Sequence, residues 1–151
     1  MKATKASIDR FLSAQKIAIA GVSRDPKKFG FQVFKLFKDR GTEVFPINPE
    51  ADRIDGTPAF KDVGSLPGNV HHLVILTSKK HTKAVVADAL AKGIDHLWIQ
   101  QMSDTPEALG LAHSKSVTLI TGECIYMHAE PVKGIHAFHR GIRRFFGGMP
   151  K

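Results

Sequence analysis

Ser23, Thr77 and Ser78 can offer hydroxyls, Asn48 an amide and Cys124 a thiol, while Arg24, Lys27, Lys28, Lys79 and Lys80 supply positive charge. Hydroxyls and amides bond phosphate oxygens, and guanidinium and ammonium groups neutralise them, so these types together suit recognition of a phosphorylated small molecule. Much of that chemistry falls in the run Gly21-Val22-Ser23-Arg24-Asp25-Pro26-Lys27-Lys28-Phe29-Gly30. Gly21 permits a tight turn, Ser23 offers a hydroxyl, and a helix beginning after the run would present free backbone amides to an anion. The run fits neither G-x-G-x-x-G nor G-x-x-x-x-G-K-[ST], which argues against a phosphate hydrolase, and it also reads as a plain strand-to-helix turn.

A second cluster is Phe45-Pro46-Ile47-Asn48-Pro49. NAD-binding domains carry an acid at the corresponding strand end to hold the ribose hydroxyls, and Asn48 is not an acid. Pro49 fixes the backbone behind it and suits either a flat wall for an adenine ring or a simple chain reversal. Thr77-Ser78-Lys79-Lys80 places hydroxyls and two ammonium groups at a helix start, where lysines also serve as solvated surface. Of the eight histidines, His71 and His72 open a strand and point to opposite faces, while His136 and His139 share a helix face without a carboxylate or cysteine in the next turn. No metal site is expected.

These residues need elements to position them. Five short apolar runs, Lys16–Ala20, Glu43–Ile47, His72–Thr77, His96–Gln100 and Ser116–Ile120, alternate with segments of helical spacing. The clearest helical sets are Val33, Phe34, Phe37 and Val85, Val86, Ala89, Leu90. Gly41 and Gly93 mark helix ends, and Thr105-Pro106 reads as an N-cap followed by proline at the first helical position. A short leading helix is expected around Ile8 to Ser13, a loop over Gly122 to Pro131 and a closing helix over Gly134 to Phe146. Strands apolar along their whole length imply a parallel sheet covered on both faces, hence a doubly wound α/β domain whose ligand lies beyond the carboxyl ends of the strands.

Composition sets the outer limits. The chain has 151 residues, 42% hydrophobic and 24% charged, which suits one compact domain and excludes a disordered or fibrous chain. Runs such as Leu73 to Leu76 are far short of a membrane span, and the basic segment Met1 to Ala6 leads into no signal core. The single cysteine accords with a reducing cytoplasm, the expected location. The net charge of +8 favours an anionic partner: a phosphorylated small molecule, nucleic acid or a membrane surface.

From about Lys16 to Glu130 the chain resembles the small CoA-binding domain family, stand-alone relatives of the nucleotide-binding domain of the succinyl-CoA synthetase α subunit. The resemblance rests on the order and spacing of Gly21-Val22-Ser23-Arg24, Phe45-Pro46-Ile47-Asn48-Pro49, Thr77-Ser78, Gly93-Ile94 before Leu97-Trp98-Ile99-Gln100, and Gly122-Glu123-Cys124-Ile125. It implies a Rossmann-like, five-stranded, mainly parallel sheet that binds coenzyme A through its phospho-adenosine end. It also implies that Gly21, Ser23, Arg24, Asn48, Pro49, Thr77, Ser78 and Gln100 lie nearest the ligand. Lys28 and Cys124 complete the expected binding set, with no catalytic residue. The synthetase's phosphorylated histidine belongs to a second domain, so synthetase activity is not expected here. CoA bears more negative charge than NAD; an acid in place of Asn48 would repel the additional phosphate, whereas Arg24, Lys27, Lys28 and Lys79 would attract it.

Two features stay open. Cys124 reads first as a small buried hydrophobe and second as a thiol that meets the CoA thiol, forming a mixed disulfide or accepting an acyl group. Residues 134 to 151 read as a basic amphipathic helix of the same unit as residues 1 to 133, with Ile135, Phe138, Ile142, Phe145 and Phe146 opposite His136, His139, Arg140, Arg143 and Arg144. That helix could dock on the domain, form a homodimer, or join a partner enzyme; membrane and nucleic-acid contacts are the other readings. The expected function is binding of CoA or acyl-CoA. The alternatives are an acyl-CoA enzyme using Cys124 with a tail histidine as base, or a nucleotide-binding protein whose tail contacts nucleic acid or membrane.

Overall fold

A computed structural model describes residues 2–129. The chain runs α1 (Lys5–Leu12), β1 (Lys16–Ala20), α2 (Phe29–Asp39), β2 (Glu43–Ile47), β3 (Arg53–Ile54), β4 (Thr57–Pro58), β5 (His72–Ile75), α3 (Lys79–Lys92), β6 (His96–Gln100), α4 (Pro106–His113), β7 (Thr118–Glu123) and α5 (Ile125–His128). Five strands form one sheet in the order β2-β1-β5-β6-β7, and each neighbouring pair is parallel. The chain starts in the middle of the sheet at β1, moves outward to β2, then crosses back to β5 on the other side of β1. The strand order therefore reverses between β1 and β5, where the two flanking connections leave to opposite faces and open a crevice.

Alternation within the strands sends side chains into two cores. Ile17 and Ile19 of β1 join Phe11 of α1, Val33, Phe34 and Phe37 of α2, and Trp98 of β6 on one face. Ala18 and Ala20 of β1 join Phe45, Ile75, Leu97, Val86 and Ala89 of α3, and Ala108 and Ala112 of α4 on the other. The small side chains of Ala18 and Ala20 let the second helical layer approach the sheet closely. Helix ends follow the expected chemistry: Thr105 accepts the Ala108 amide with Pro106 next, and Gly93 closes α3 in a left-handed conformation.

Three local readings need correction. The segment from Gly122 is not wholly loop, because β7 extends to Glu123 and α5 occupies Ile125–His128. The ladder to β6 shifts register so that Ile99 pairs Thr121 and Gln100 pairs Glu123, leaving Gly122 as the bulged residue. The third expected strand ends at Ile75 rather than Thr77. A small antiparallel hairpin, β3–β4, turns through Asp55-Gly56, both with positive φ, a two-residue hairpin signal that the sequence reading passed over. Residues 134 to 151, including the expected helix and its histidines, lie outside the described residues. No helix among the described residues is long and apolar enough to cross a membrane.

At the amino ends of β5 and β6 the His72 and His96 rings stack with centroids 4.3 Å apart, and Phe11 of α1 meets His72 edge-on at 5.2 Å. Asp95 Oδ1 lies 2.8 Å from His96 Nδ1. Burial, then the neighbouring His96, pushes the His72 pKa down from 6.5 to about 4. The folded state therefore binds fewer protons here than the unfolded chain between those values, so stability falls as pH drops from 6.5 towards 4. Urea unfolding midpoints should fall across this window in the parent and less steeply in His72→Gln. An equal slope in both proteins would contradict the assignment.

Candidate functional site

The site begins where β1 stops. The chain turns at Gly21 with φ of +92°, and a Cβ there would sit 2.9 Å from the Leu76 carbonyl carbon and 3.0 Å from the Thr77 amide nitrogen. In the first turn of α2, a Cβ on Gly30 would sit 2.2 Å from the Gly21 carbonyl oxygen. Two glycines thus allow the start of α2, the end of β1 and the end of β5 to converge.

The loop between them is shaped by its own polar groups. The Asp25 amide donates to Ser23 Oγ at 3.0 Å, and the Lys27 amide donates to Asp25 Oδ1 at 2.9 Å. Lys28 caps α2 without a side-chain hydrogen bond, so no side chain of the cap covers the amides of the first turn. Arg24, Lys27 and Lys28 are exposed along this loop.

Asn48, just past β2, joins the two strand ends. Its Nδ2 donates to the Val22 carbonyl at 2.8 Å, and its Oδ1 accepts the Glu50 amide at 2.8 Å. Both functions of the amide are therefore used in holding the rim. The chain then loops through the β3–β4 hairpin and returns beside β2. There the Phe60 amide donates to Pro46 O at 2.8 Å and the Asn48 amide to Phe60 O at 2.9 Å, which delivers Lys61, Asp62 and Val63 to the rim. On the other side, Thr77 leads through Ser78 into α3. Thr82 Oγ1 donates to the Ser103 carbonyl at 2.7 Å, pinning the first turn of α3 to the loop after β6.

These segments enclose a cleft of about 520 Å³ at the strand reversal, lined among others by Gly21, Ser23, Asn48, Pro49, Lys61 and Thr77. Its volume suits a cofactor-sized molecule. His81, Ala84, Val85 and Asp88 complete the wall from α3, at a spacing that puts them on one helical face. The Lys61 ammonium hydrogen-bonds Asp52 and holds its carboxyl below the ordinary carboxylate range.

The structure brings five of the expected residues together: Gly21, Ser23, Asn48, Pro49 and Thr77 line the cleft. Arg24, Lys28 and Ser78 are exposed on the loops leading into it but are not in its lining. Gln100 and Cys124 are not brought to it. Gln100 is 6% exposed, and its Oε1 accepts the Ile125 amide at 3.0 Å, which ties β6 to the start of α5. Cys124 is 3% exposed and precedes α5 as its N-cap, the position of a small buried hydrophobe. Strands lie about 4.8 Å apart, so the end of β7 is about 10 Å beyond β5 and outside the crevice. Lys61, Asp62, His81 and Asp88 are the cleft residues that sequence reasoning missed. The face His81, Ala84, Val85, Asp88 carried a helical-spacing signal, whereas Lys61 and Asp62 arrive only through the return beside β2.

A family model described as CoA binding domain matches residues 15–130. The chain is 30% identical over 129 residues to the α subunit of an ADP-forming acetate–CoA ligase II from Pyrococcus furiosus, covering 78% of this chain and 28% of that subunit. It thus spans little more than a quarter of the ligase subunit's length. It is 28% identical over 123 residues to the uncharacterized protein YneT of Bacillus subtilis, covering 81% of this chain and 91% of that protein. Among solved structures, it resembles a conserved hypothetical protein from Pyrococcus furiosus with a TM-score of 0.71 and 32% identity, covering 74% of this chain and 96% of the other.

Asn48→Asp removes the donor to Val22 and sets a carboxylate against a carbonyl; it should destabilise the fold by about 1–3 kcal/mol, seen as a lower urea midpoint. Gly30→Ala forces a Cβ against the Gly21 carbonyl oxygen and should cost about as much or more. An unchanged midpoint in either variant would contradict the rim geometry.

Proposed function

The chain belongs to the CoA-binding domain family, and from that premise we propose that its cleft holds coenzyme A or an acyl-CoA by the phospho-adenosine end. The observation that carries this reading is convergence. Residues from the ends of β1, β2 and β5, far apart in sequence, line one cleft at the strand reversal. Ser23 in its lining and the start of α2 that follows the same loop suit the pyrophosphate, with Arg24, Lys27 and Lys28 on that loop to neutralise charge. Pro49 and the aliphatic part of the α3 wall suit the faces of an adenine ring.

Asn48 accounts for preference among cofactors. Its hydrogen bonds to Val22 and Glu50 hold the rim without adding the negative charge that favours NAD ribose hydroxyls and repels a ribose phosphate. The role that follows is binding, as a carrier, a sensor or a partner of a larger acyl-CoA enzyme. The burial of Cys124 away from the cleft gives no support to thiol chemistry on the ligand.

Isothermal titration with CoA, NAD and NADP should give a saturable exchange with CoA and much weaker heats with either nicotinamide cofactor. Arg24→Ala should weaken CoA and reduce the dependence of its affinity on salt. Tight NAD or NADP binding with none of CoA would overturn the proposal.

A further inference from the structure

Lys61 carries the single ammonium among the described residues that line the cleft. Its position follows from the chain return beside β2: the Asn48 amide donates to Phe60 O and the Phe60 amide to Pro46 O, so Lys61 sits one residue past a strand-like segment hydrogen-bonded to the β2 end. In an α/β nucleotide site, the residue at the end of the second strand faces the ribose. A cation held laterally to Asn48 therefore lies where a substituent on that ribose would project.

The ammonium is not fixed elsewhere. Lys61 Nζ donates to Asp52 Oδ1 at 3.0 Å and to Ala51 O at 3.2 Å, and the two side chains are 51% and 93% exposed. An ion pair this exposed is weak and exchanges readily for a stronger acceptor. A phosphate offers more charge and more acceptor oxygens than one carboxylate. Among the described residues the ammonium pairs with Asp52 and not with either acid of the lining, Asp62 or Asp88, and Asp62 Oδ1 accepts the Ser65 amide at 2.8 Å. Arg24, Lys27 and Lys28 belong to the β1–α2 loop and Lys79 and Lys80 to the start of α3, whereas Lys61 is the cation beside the end of β2, the strand end that faces the ribose.

We propose that Lys61 reads the 3′-phosphate on the ribose of CoA, leaving Asp52 for that phosphate when the ligand enters. The inference rests on the CoA reading of the cleft. Lys61 then determines specificity, distinguishing CoA from 3′-dephospho-CoA, and Asp52 competes with the ligand for the same ammonium.

Titration of CoA and 3′-dephospho-CoA into wild type, Lys61→Met and Asp52→Asn, at one ionic strength, tests this. Wild type should prefer CoA by about tenfold, the scale of one charge-assisted contact. Lys61→Met should lose that preference while keeping its affinity for dephospho-CoA within about twofold. Asp52→Asn should strengthen CoA and leave dephospho-CoA unchanged. Both substitutions are on the surface, and unchanged thermal unfolding would show that the fold persists. Equal binding of the two compounds by wild type, or a preference that survives Lys61→Met, would overturn the assignment of Lys61 alone. Wild type that binds neither compound would overturn the CoA reading and this inference with it.

Discussion

The Gly21 carbonyl oxygen occupies the space where a side chain on residue 30 would begin, 2.2 Å from an ideal Cβ. That close approach seats the first turn of α2 directly on the end of β1. On the other flank, Gly21 backs onto the Leu76–Thr77 peptide after β5. Because β1 lies between β2 and β5, at the point where the strand order reverses, this one point of contact fixes how the crevice opens. A larger residue at position 30 would push α2 away from the end of β1, and one at position 21 would press on the Leu76–Thr77 peptide after β5. The hydrogen bond from Asn48 to Val22 then closes the rim laterally, so that two strand ends and one helix start act as a single rigid edge.

Cations surround that edge, and the cleft lining itself carries Lys61, Asp62 and Asp88. The exposed cations of the β1–α2 loop and the first turn of α3 flank the cleft, while the polar atoms of Asn48 are satisfied by backbone. A neutral, fully bonded amide costs little to leave beside a polyanion, whereas a carboxylate there would oppose it. The Lys61–Asp52 pair adds a cation that is held in reserve at the rim by a weak surface contact. The lower, amino-terminal edge of the sheet differs in kind: its stacked histidines and Phe11 support packing of α1 and stand at the opposite end of the strands from the cleft.

Much of the fold was legible because strand and helix periods are strong signals. Lys16–Ala20, Glu43–Ile47 and His96–Gln100 match their strands to the residue, and Thr105-Pro106 and Gly93 mark helix ends by local chemistry alone. Gly122 misled because a bulged glycine has the same composition as a loop. In the cleft lining, Gly21, Ser23, Asn48, Pro49 and Thr77 were legible, since each lies within three residues of the end of a strand and the crevice rule applies to strand ends. Gln100, the last residue of β6, and Cys124, just past β7, stand farther along the sheet, outside the cleft lining, and are occupied at the start of α5. Lys61 was invisible because its place depends on hydrogen bonds from Phe60 to β2, a tertiary return that no local pattern encodes.

The most direct test of the central claim is amide chemical-shift mapping by NMR as CoA is added. The account predicts the largest changes at Gly21 to Lys28, Asn48, Lys61 to Val63 and Thr77 to His81, with His71, His72, His96 and Gln15 at the opposite edge little affected. Changes concentrated at that opposite edge, or none with CoA in large excess, would contradict it.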